Sequence, residues 1–191
     1  TVNHRGIIIL FQGGFGAIGE AGFAGLDSLI TTRFGGTVSV SVVPPGGASN
    51  TLVDPFDAFE EQETAAKGLL SPFLNLFPEA KVVLFGFSFG GDTATLSTIP
   101  SNVSFCRNGS TSCLVITLDP ISRHKAKEGV FDQSALPFGV SGRTQINYRQ
   151  NWAGCSIAGV FQANLRGYEV VGATNFSVDF RQRGHCDIDD D

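Results

Sequence analysis

Apolar runs alternate along the chain with segments of helical character, and this alternation limits the possible folds more than any other feature of the sequence. The runs are GIIILF at 6–11, TVSVSVV at 37–43, KVVLFGF at 81–87 and LVITLD at 114–119. A continuously apolar strand is typical of a sheet that is covered on both faces. Because strands joined through helices pair in parallel with right-handed crossovers, the order predicts an α/β protein with a mainly parallel central sheet.

Two of the connecting segments have the pattern of helices. Residues 22–34 place Leu26, Leu29 and Ile30 on one helical face, the apolar face of an amphipathic helix. The segment GGDTATLSTI at 90–99 predicts a second helix directly after the third run. These connections supply the crossovers that a parallel sheet requires.

The remaining segments add one helix and further strands. Asp54, followed by proline, predicts the N-cap of a helix between the second and third runs. Pro72 and Pro78 are expected to interrupt the segment that follows. After the fourth run, the patterns at 145–150 and 168–180 predict further strands.

The composition indicates a globular chain. It has 191 residues, of which 42% are hydrophobic and 16% charged, and its net charge is −5. This length can form one sizeable core, so we expect a single domain over residues 1–191. The negative charge gives no indication of a nucleic-acid partner. No apolar run approaches the roughly 20 residues of a transmembrane helix.

The cysteines predict disulfide bonds. The chain has four of them, Cys106, Cys113, Cys155 and Cys186, an even number that fits two disulfides in three possible pairings. The short polar loop between Cys106 and Cys113 favours that pair, which leaves Cys155 with Cys186. Disulfides form in oxidising compartments, so the cysteines favour an extracellular protein.

Two other features favour secretion. Asn102, Asn108 and Asn175 each begin an N-x-S sequon, the acceptor site of N-linked sugars. The chain begins at Thr1 and contains no methionine, which predicts a processed form from which any signal peptide has been removed. We therefore expect a secreted glycoprotein.

The third run leads into the candidate nucleophile. VVLFGFSFGGDT at 82–93 contains Gly-x-Ser-x-Gly around Ser88, between a predicted strand and a predicted helix. Such a turn holds the serine in a strained conformation with its hydroxyl exposed, and glycines two residues away avoid clashes with the neighbouring strand and helix. The helix start also offers backbone N–H groups to a developing oxyanion. Ser88 is therefore the predicted nucleophile.

A serine nucleophile needs a base, and the chain has three histidines. His4 precedes the first run and falls at the wrong end of the predicted sheet. His124 lies in SRHKAKEG, a charged stretch that is typical of a solvated helix start. His185 follows the last predicted strand, on a loop that could reach Ser88. We therefore expect His185 to be the base.

An acid is needed to orient the base and to stabilise its charged form. Asp119 ends the fourth apolar run and precedes Pro120, which predicts a short loop at the carboxyl edge of the sheet. Asp179 is the alternative, although it falls within an alternating strand pattern. Asp92 is too close to Ser88 in sequence to reach a histidine across the site.

Two backbone N–H groups are expected to bind the oxyanion. One belongs to Phe89, and the other to the loop FQGGFG after the first run, with Gly14 preferred over Phe15. Phe15, Phe87 and Phe89 predict an apolar substrate pocket. The glycines from Gly14 to Gly19 also match a phosphate-binding loop, but no acidic residue ends the second run, where a dinucleotide ribose would need one.

These motifs resemble those of the α/β-hydrolase superfamily, in particular its small secreted serine esterases and lipases. The resemblance rests on ILFQGGFG, LFGFSFGG, LVITLDP and GHCDID, which span residues 9–189. It implies a three-layer sandwich, and the short chain is similar to cutinase-like enzymes and minimal lipases without a cap domain. It further implies the triad Ser88, Asp119 and His185, with no cofactor and no metal. Asp119 follows the strand directly after the serine, one strand earlier than the commonest arrangement.

The expected function is hydrolysis of carboxylic esters through an acyl-enzyme. A lipid or another hydrophobic ester is the expected substrate, with transient contact to a lipid surface, and an acetylated polysaccharide is the second substrate class. A thioesterase or peptidase with the same triad stays open, as does an inactive binding protein on the same fold. The acidic tail DIDDD is interpreted as a solvated end rather than a metal site.

Overall fold

Six parallel strands form the central sheet in the computed structural model of the protein. The structure describes residues 4–13, 20–44, 59–96, 113–122, 135–136, 144–150, 155–157, 160–162 and 167–178. In sheet order the strands are β2 (Val38–Val43), β1 (Gly6–Phe11), β3 (Lys81–Phe87), β4 (Cys113–Leu118), β6 (Thr144–Gln150) and β10 (Thr174–Val178). The parallel pairing brings the carboxyl ends of all six strands to one edge of the sheet.

Helices pack on both faces of this sheet, which gives three layers. The helices are α1 (Glu20–Phe34), α2 (Phe59–Leu76) and α3 (Phe89–Leu96). On one face, α2 and α3 contribute Ala66, Leu70 and Ala94 to a core with inward side chains of β1, β3 and β4. On the other face, Leu26 of α1 packs against a cluster around Leu10. This arrangement confirms the predicted α/β class and the mainly parallel sheet.

The predicted strands lie where the apolar runs indicated. β1, β2, β3 and β4 each begin and end within one residue of the predicted run. Ile9, Leu84 and Val115 show why, because each is fully buried at the centre of its strand. A strand with apolar side chains on both faces is shielded from water only in a sheet that other elements cover on both sides. In a chain of this size, the central sheet is the part of the fold that offers such a position.

Two predictions about the helices are wrong. Leu29 is 66% exposed, although Ile30 is buried, because the buried stripe of α1 is narrower than the sequence pattern indicated. Successive helical residues are about 100° apart, so Leu29 turns away from the side that Ile30 buries. Pro72 does not interrupt α2, which continues to Leu76. Pro72 and the residue whose carbonyl loses its partner, Gly68, are both exposed, so water can solvate that carbonyl.

Short strands outside the main sheet were not predicted individually. β5 (Ala135–Leu136) pairs with β9 (Glu169–Val170), and β7 (Cys155–Ile157) pairs with β8 (Val160–Gln162). The predicted helix start at Asp54 lies outside the described residues. Within the described part of the chain, no helix has the length and apolar character needed to cross a membrane.

The side-chain amide of Asn175, the acceptor residue of the third sequon, makes hydrogen bonds within the fold. Its Oδ1 accepts hydrogen bonds from Asn147 Nδ2 at 2.8 Å and from the Val170 N–H at 2.9 Å. Its Nδ2 donates to the carbonyls of Val170 at 2.9 Å and Ala173 at 3.1 Å. A sugar on Nδ2 would remove one of these donor hydrogens. The amide therefore ties β10 to β6 and to the turn before it; Asn102 and Asn108 lie outside the described residues.

Candidate active site

The sheet has a topological switch point at its carboxyl edge, between β1 and β3. From β1 the chain passes to β2 on one side and then returns to β3 on the other, so the connections leave these two neighbours in opposite directions. Ligands of open α/β sheets bind at such points. Gly13 follows β1 and Ser88 follows β3, and a Cβ on Gly13 would lie 2.9 Å from the Ser88 Cβ. The two segments therefore meet directly at this switch point.

Ser88 has a left-handed backbone conformation with φ 54°. This region is costly for a residue with a Cβ and persists where the surroundings enforce it. Here the Ser88 N–H donates to the Leu118 carbonyl at 3.2 Å, and the Ser88 carbonyl accepts from the N–H groups of Gly91 at 2.9 Å and Ile121 at 3.0 Å. Hydrogen bonds to β4, to α3 and to the segment after β4 therefore hold the predicted sharp turn in place.

The glycines of the motif lie where backbones touch. A Cβ on Gly86 would overlap the carbonyl oxygen of Gly90, and a Cβ on Gly90 would overlap that of Phe11. The next glycine, Gly91, packs against Pro120, whose Cβ would be 2.6 Å from an added Cβ. The end of β3, the start of α3 and the end of β1 therefore approach one another without side chains between them, as the predicted turn requires.

Of the two predicted oxyanion donors, only Phe89 lies within the described residues. Phe89 is the first residue of α3, so its backbone N–H stands at the helix start directly after Ser88. Gly14 and the alternative Phe15 lie outside the described residues. The same is true of Gly19, the last glycine of the pattern that also matches a phosphate-binding loop. Gly13, which contacts Ser88, directly precedes Gly14 in the chain.

The phenylalanines of the serine motif are buried. Phe87 is 2% exposed and forms a core cluster with Leu10 on the face that α1 covers. Phe89 is 5% exposed. Partly buried apolar residues pack against this cluster, namely Ile8, Leu26, Val40, Phe85 and Leu118. The Phe87 ring also borders Gly13, where an added Cβ would lie 3.4 Å from its Cδ1. A role of Phe87, Phe89 and Phe15 in substrate contact stays a prediction.

Asp119 lies beside Ser88 at the same edge. Phe87 and Leu118 are paired across β3 and β4, so the residues that follow them, Ser88 and Asp119, leave the sheet side by side. Asp119 is fully buried and also has a left-handed backbone, with φ 46°. The conformation turns the chain sharply into Pro120 and places the carboxyl group within the edge rather than in solvent.

Backbone donors hold the Asp119 carboxylate. Its Oδ1 accepts from the N–H groups of Gly167 at 2.8 Å and Gln150 at 3.1 Å. The Gln150 side chain approaches Oδ2, with its Nε2 at 3.4 Å. Gly167 packs so tightly on Asp119 that any Cβ there would overlap it. Two backbone donors on one oxygen give the carboxylate a fixed orientation, which a triad acid needs.

The predicted base lies outside the described residues. Neither His185 nor the alternative acid Asp179 is described, and the same is true of His124. β10 ends at Val178 on the edge that carries Ser88 and Asp119, so the segment containing His185 starts from that edge. His4 lies near the opposite edge, where its ring centroid is 4.7 Å from that of Phe77.

The predicted disulfide partners are only partly described. Cys113 begins β4 and is 1% exposed, and Cys155 begins β7. Cys106 and Cys186 lie outside the described residues. The pairing therefore stays a prediction.

Gln62 of α2 is a buried amide beside the site that was not predicted from the sequence. It is fully buried and donates through Nε2 to the carbonyls of Gln12 at 3.0 Å and Val43 at 3.3 Å. The signal was present, because Gln62, Ala66 and Leu70 follow at helical spacing and share the buried face of α2. A glutamine in such a stripe needs a polar partner in the core.

The sheet order and the strand–serine–helix turn define the α/β-hydrolase fold. An α/β serine hydrolase homologue from Coxiella burnetii superposes with a TM-score of 0.52 at 9% identity, over 96% of this chain and 79% of that one. Acyl-protein thioesterase 2 of Zea mays gives 0.51 at 15% identity, over 95% and 87%. At these identities the two structures confirm the fold.

A weaker likeness extends to the catalytic core domain of acetyl xylan esterase from Trichoderma reesei, with a TM-score of 0.43 at 14% identity. This match covers 62% of the present chain and 64% of that domain, less than two thirds of its length. No protein-family model matches the sequence, and no curated protein is similar to it in sequence.

Proposed function

We propose that the protein is a serine hydrolase that cleaves carboxylic esters through an acyl-enzyme on Ser88. The observation that carries this proposal is the backbone of Ser88, a non-glycine residue held at φ 54° between β3 and α3. Strain of this kind gathers at functional sites because the strained position presents a side chain in a way that ordinary turns do not. The oriented carboxylate of Asp119 at the adjacent strand end supports the same proposal.

In the proposed cycle, His185 removes the proton from the Ser88 hydroxyl as its oxygen attacks the ester carbonyl. The N–H groups of Phe89 and Gly14 stabilise the tetrahedral oxyanion, and Asp119 stabilises the charged imidazole. His185 then gives its proton to the leaving alcohol, and the acyl group stays on Ser88. Water, deprotonated by His185, attacks the acyl carbon; the bond to the Ser88 oxygen then breaks as His185 returns the proton to that oxygen, which releases the acid and restores the free enzyme. The cycle needs no cofactor or metal.

The proposed substrates are esters with a hydrophobic acyl group. Phe89 is itself one of the proposed donors, and Phe15 directly follows Gly14, the other. The segments proposed to bind the oxyanion therefore carry apolar side chains. We place the enzyme outside the cell, an assignment that the four cysteines and the sequons at Asn102 and Asn108 support.

Covalent labelling tests the proposal. A fluorophosphonate reacts with a serine only where a base and an oxyanion site activate it. We expect the folded protein to be labelled with one phosphonyl group on the peptide that contains Ser88, and the urea-unfolded protein to be unlabelled. A folded protein that takes no label would overturn the hydrolase proposal. Matched oxygen esters and thioesters, each with short and long acyl chains, then establish the substrate class.

The acid is tested by a pair of isosteric variants. We expect Asp119→Asn to lower kcat/KM for an ester on the order of 10³- to 10⁴-fold, because the amide keeps an acceptor for Gly167 and Gln150 but cannot stabilise the charged imidazole. Asp179→Asn is the matched control and should stay within about threefold of the wild type. Melting temperatures of both variants show whether the fold is intact. The opposite ranking would assign the acid to Asp179.

A further inference from the structure

Gln62 connects three segments that converge on the candidate site. Its Nε2 donates to the carbonyl of Gln12, after β1, and to that of Val43, at the end of β2. Its Oε1 accepts from the Thr93 hydroxyl of α3 at 2.6 Å. Among the described residues, both ends of this fully buried amide are therefore used, which offsets the cost of burying it.

Two of these segments carry the proposed oxyanion donors. Gln12 is followed by Gly13, which contacts Ser88, and then by Gly14, the proposed donor of the β1 loop. Thr93 lies one turn along α3 from Phe89, the other proposed donor, and its hydroxyl is also 3.3 Å from the Phe89 carbonyl. One side chain thus joins the backbone before one donor to the helix that begins with the other.

We infer that Gln62 is a positioning residue that holds the backbone after β1 against the start of α3, the helix that begins with the proposed oxyanion donor Phe89. This inference rests on the hydrolase function proposed above. Stabilisation of the tetrahedral intermediate depends on donors placed for the oxyanion and not for the ground-state carbonyl, so a small change in spacing affects the chemical step. Gln62 acts through Gln12 and Thr93.

The chain offers a matched control for this inference. Gln145 of β6 is 3% exposed, and its Nε2 donates at 3.0 Å to the hydroxyl of Thr95, which lies on the same helix α3. Gln145→Met and Gln62→Met therefore both remove a buried amide that bonds to a threonine of α3. Of these two glutamines, only Gln62 also donates to the carbonyls of Gln12, directly after β1, and Val43, at the end of β2.

The experiment measures ester hydrolysis well below the melting temperature of each variant. We expect Gln62→Met to lower kcat by up to about 10²-fold with KM within about threefold. Affinity for an aryl boronic acid, which forms a tetrahedral adduct on the serine, should fall by the same factor as kcat. Gln145→Met should leave kcat and boronic acid affinity within about threefold of the wild type. Equal losses in the two variants would overturn the inference.

Two further measurements separate the possible failures. If Gln62→Met does not fold, Thr93→Val removes the hydroxyl that donates to Gln62 and also approaches the Phe89 carbonyl, at nearly constant shape. A several-fold loss of kcat that is absent in Thr93→Ser supports the inference, and no loss overturns it. Hydrogen exchange at residues 12–14 needs no activity. Faster exchange at these residues in Gln62→Met than in Gln145→Met supports the positioning role, and equal exchange overturns it. A wild-type protein that takes no fluorophosphonate label overturns only the proposed hydrolase function.

Discussion

Replacing Ser88 with alanine should abolish fluorophosphonate labelling and lower ester hydrolysis by at least about 10³-fold, because the acyl-enzyme then has no oxygen on which to form. Replacing it with glycine should have the same effect on activity and a different effect on stability. A left-handed residue with a Cβ costs about 1–2 kcal/mol, whereas glycine accepts this conformation and instead loses about 0.5–1 kcal/mol of extra chain entropy on folding. We expect Ser88→Gly to be roughly 0.5–1 kcal/mol more stable than Ser88→Ala.

The two variants together separate chemistry from strain. Both lack the hydroxyl and whatever contacts it makes, so the difference between them reports the backbone at φ 54°. Urea denaturation gives the two free energies of unfolding, and ester kinetics give the activity. Hydrolysis by Ser88→Ala within about tenfold of the wild type would remove Ser88 from the chemistry. An alanine variant more stable than the glycine variant would contradict the strained turn.

Replacing Gly90 with alanine should prevent the protein from folding. The new Cβ would overlap the Phe11 carbonyl oxygen and lie 2.6 Å from that of Gln12. Both are backbone atoms at the end of β1, and neither can move without separating β1 from its neighbours or α3 from the sheet. Overlap with backbone exceeds ordinary overpacking, so we expect a loss greater than about 4 kcal/mol.

Gly68→Ala is the matched control for Gly90→Ala. It adds the same methyl group to another helical glycine, on the exposed side of α2. Among the described residues, no atom apart from the adjacent backbone of the helix lies within 4 Å of the new Cβ. We expect it to stabilise the protein by about 0.5–1 kcal/mol, because alanine restricts the unfolded chain. Soluble yield, circular dichroism and urea unfolding compare the two. A folded Gly90→Ala with a loss below about 1 kcal/mol would contradict the close approach of β1 and α3.

The sheet and the turn at Ser88 could be predicted because their signals are local. The apolar run at residues 81–87 is enough to predict a buried strand. The glycines beside Ser88 predict a close approach of two backbones, but not which backbone segment approaches. The structure supplies that partner, which for Gly90 is the pair of carbonyl oxygens of Phe11 and Gln12 at the end of β1 and directly after it. The wrong predictions were also local ones, since neither Leu29 nor Pro72 reveals from its neighbours in sequence whether water reaches it.

The surroundings of Asp119 could not be predicted in the same way. The apolar run before it indicated its edge of the sheet, but its donors Gln150 and Gly167 come from two later segments of the chain. Such contacts are set by which strands become neighbours, and a pattern of a few residues holds no information about that. Gln62 was missed for the same reason, since its partners Gln12 and Thr93 become neighbours only through the fold.

The donors of Asp119 also have a consequence for how the protein matures during synthesis. β1, β2 and β3 come early in the sequence, and the partners that hold the turn at Ser88 follow by Ile121. The N–H groups that hold the Asp119 carboxylate come 31 and 48 residues after it. Chains fold from the amino end as they emerge from the ribosome. A nascent chain that has emerged only as far as Ile121 can therefore build the serine turn while its neighbouring carboxylate still lacks these two donors, and we expect hydrolytic competence only after Gly167 has been made.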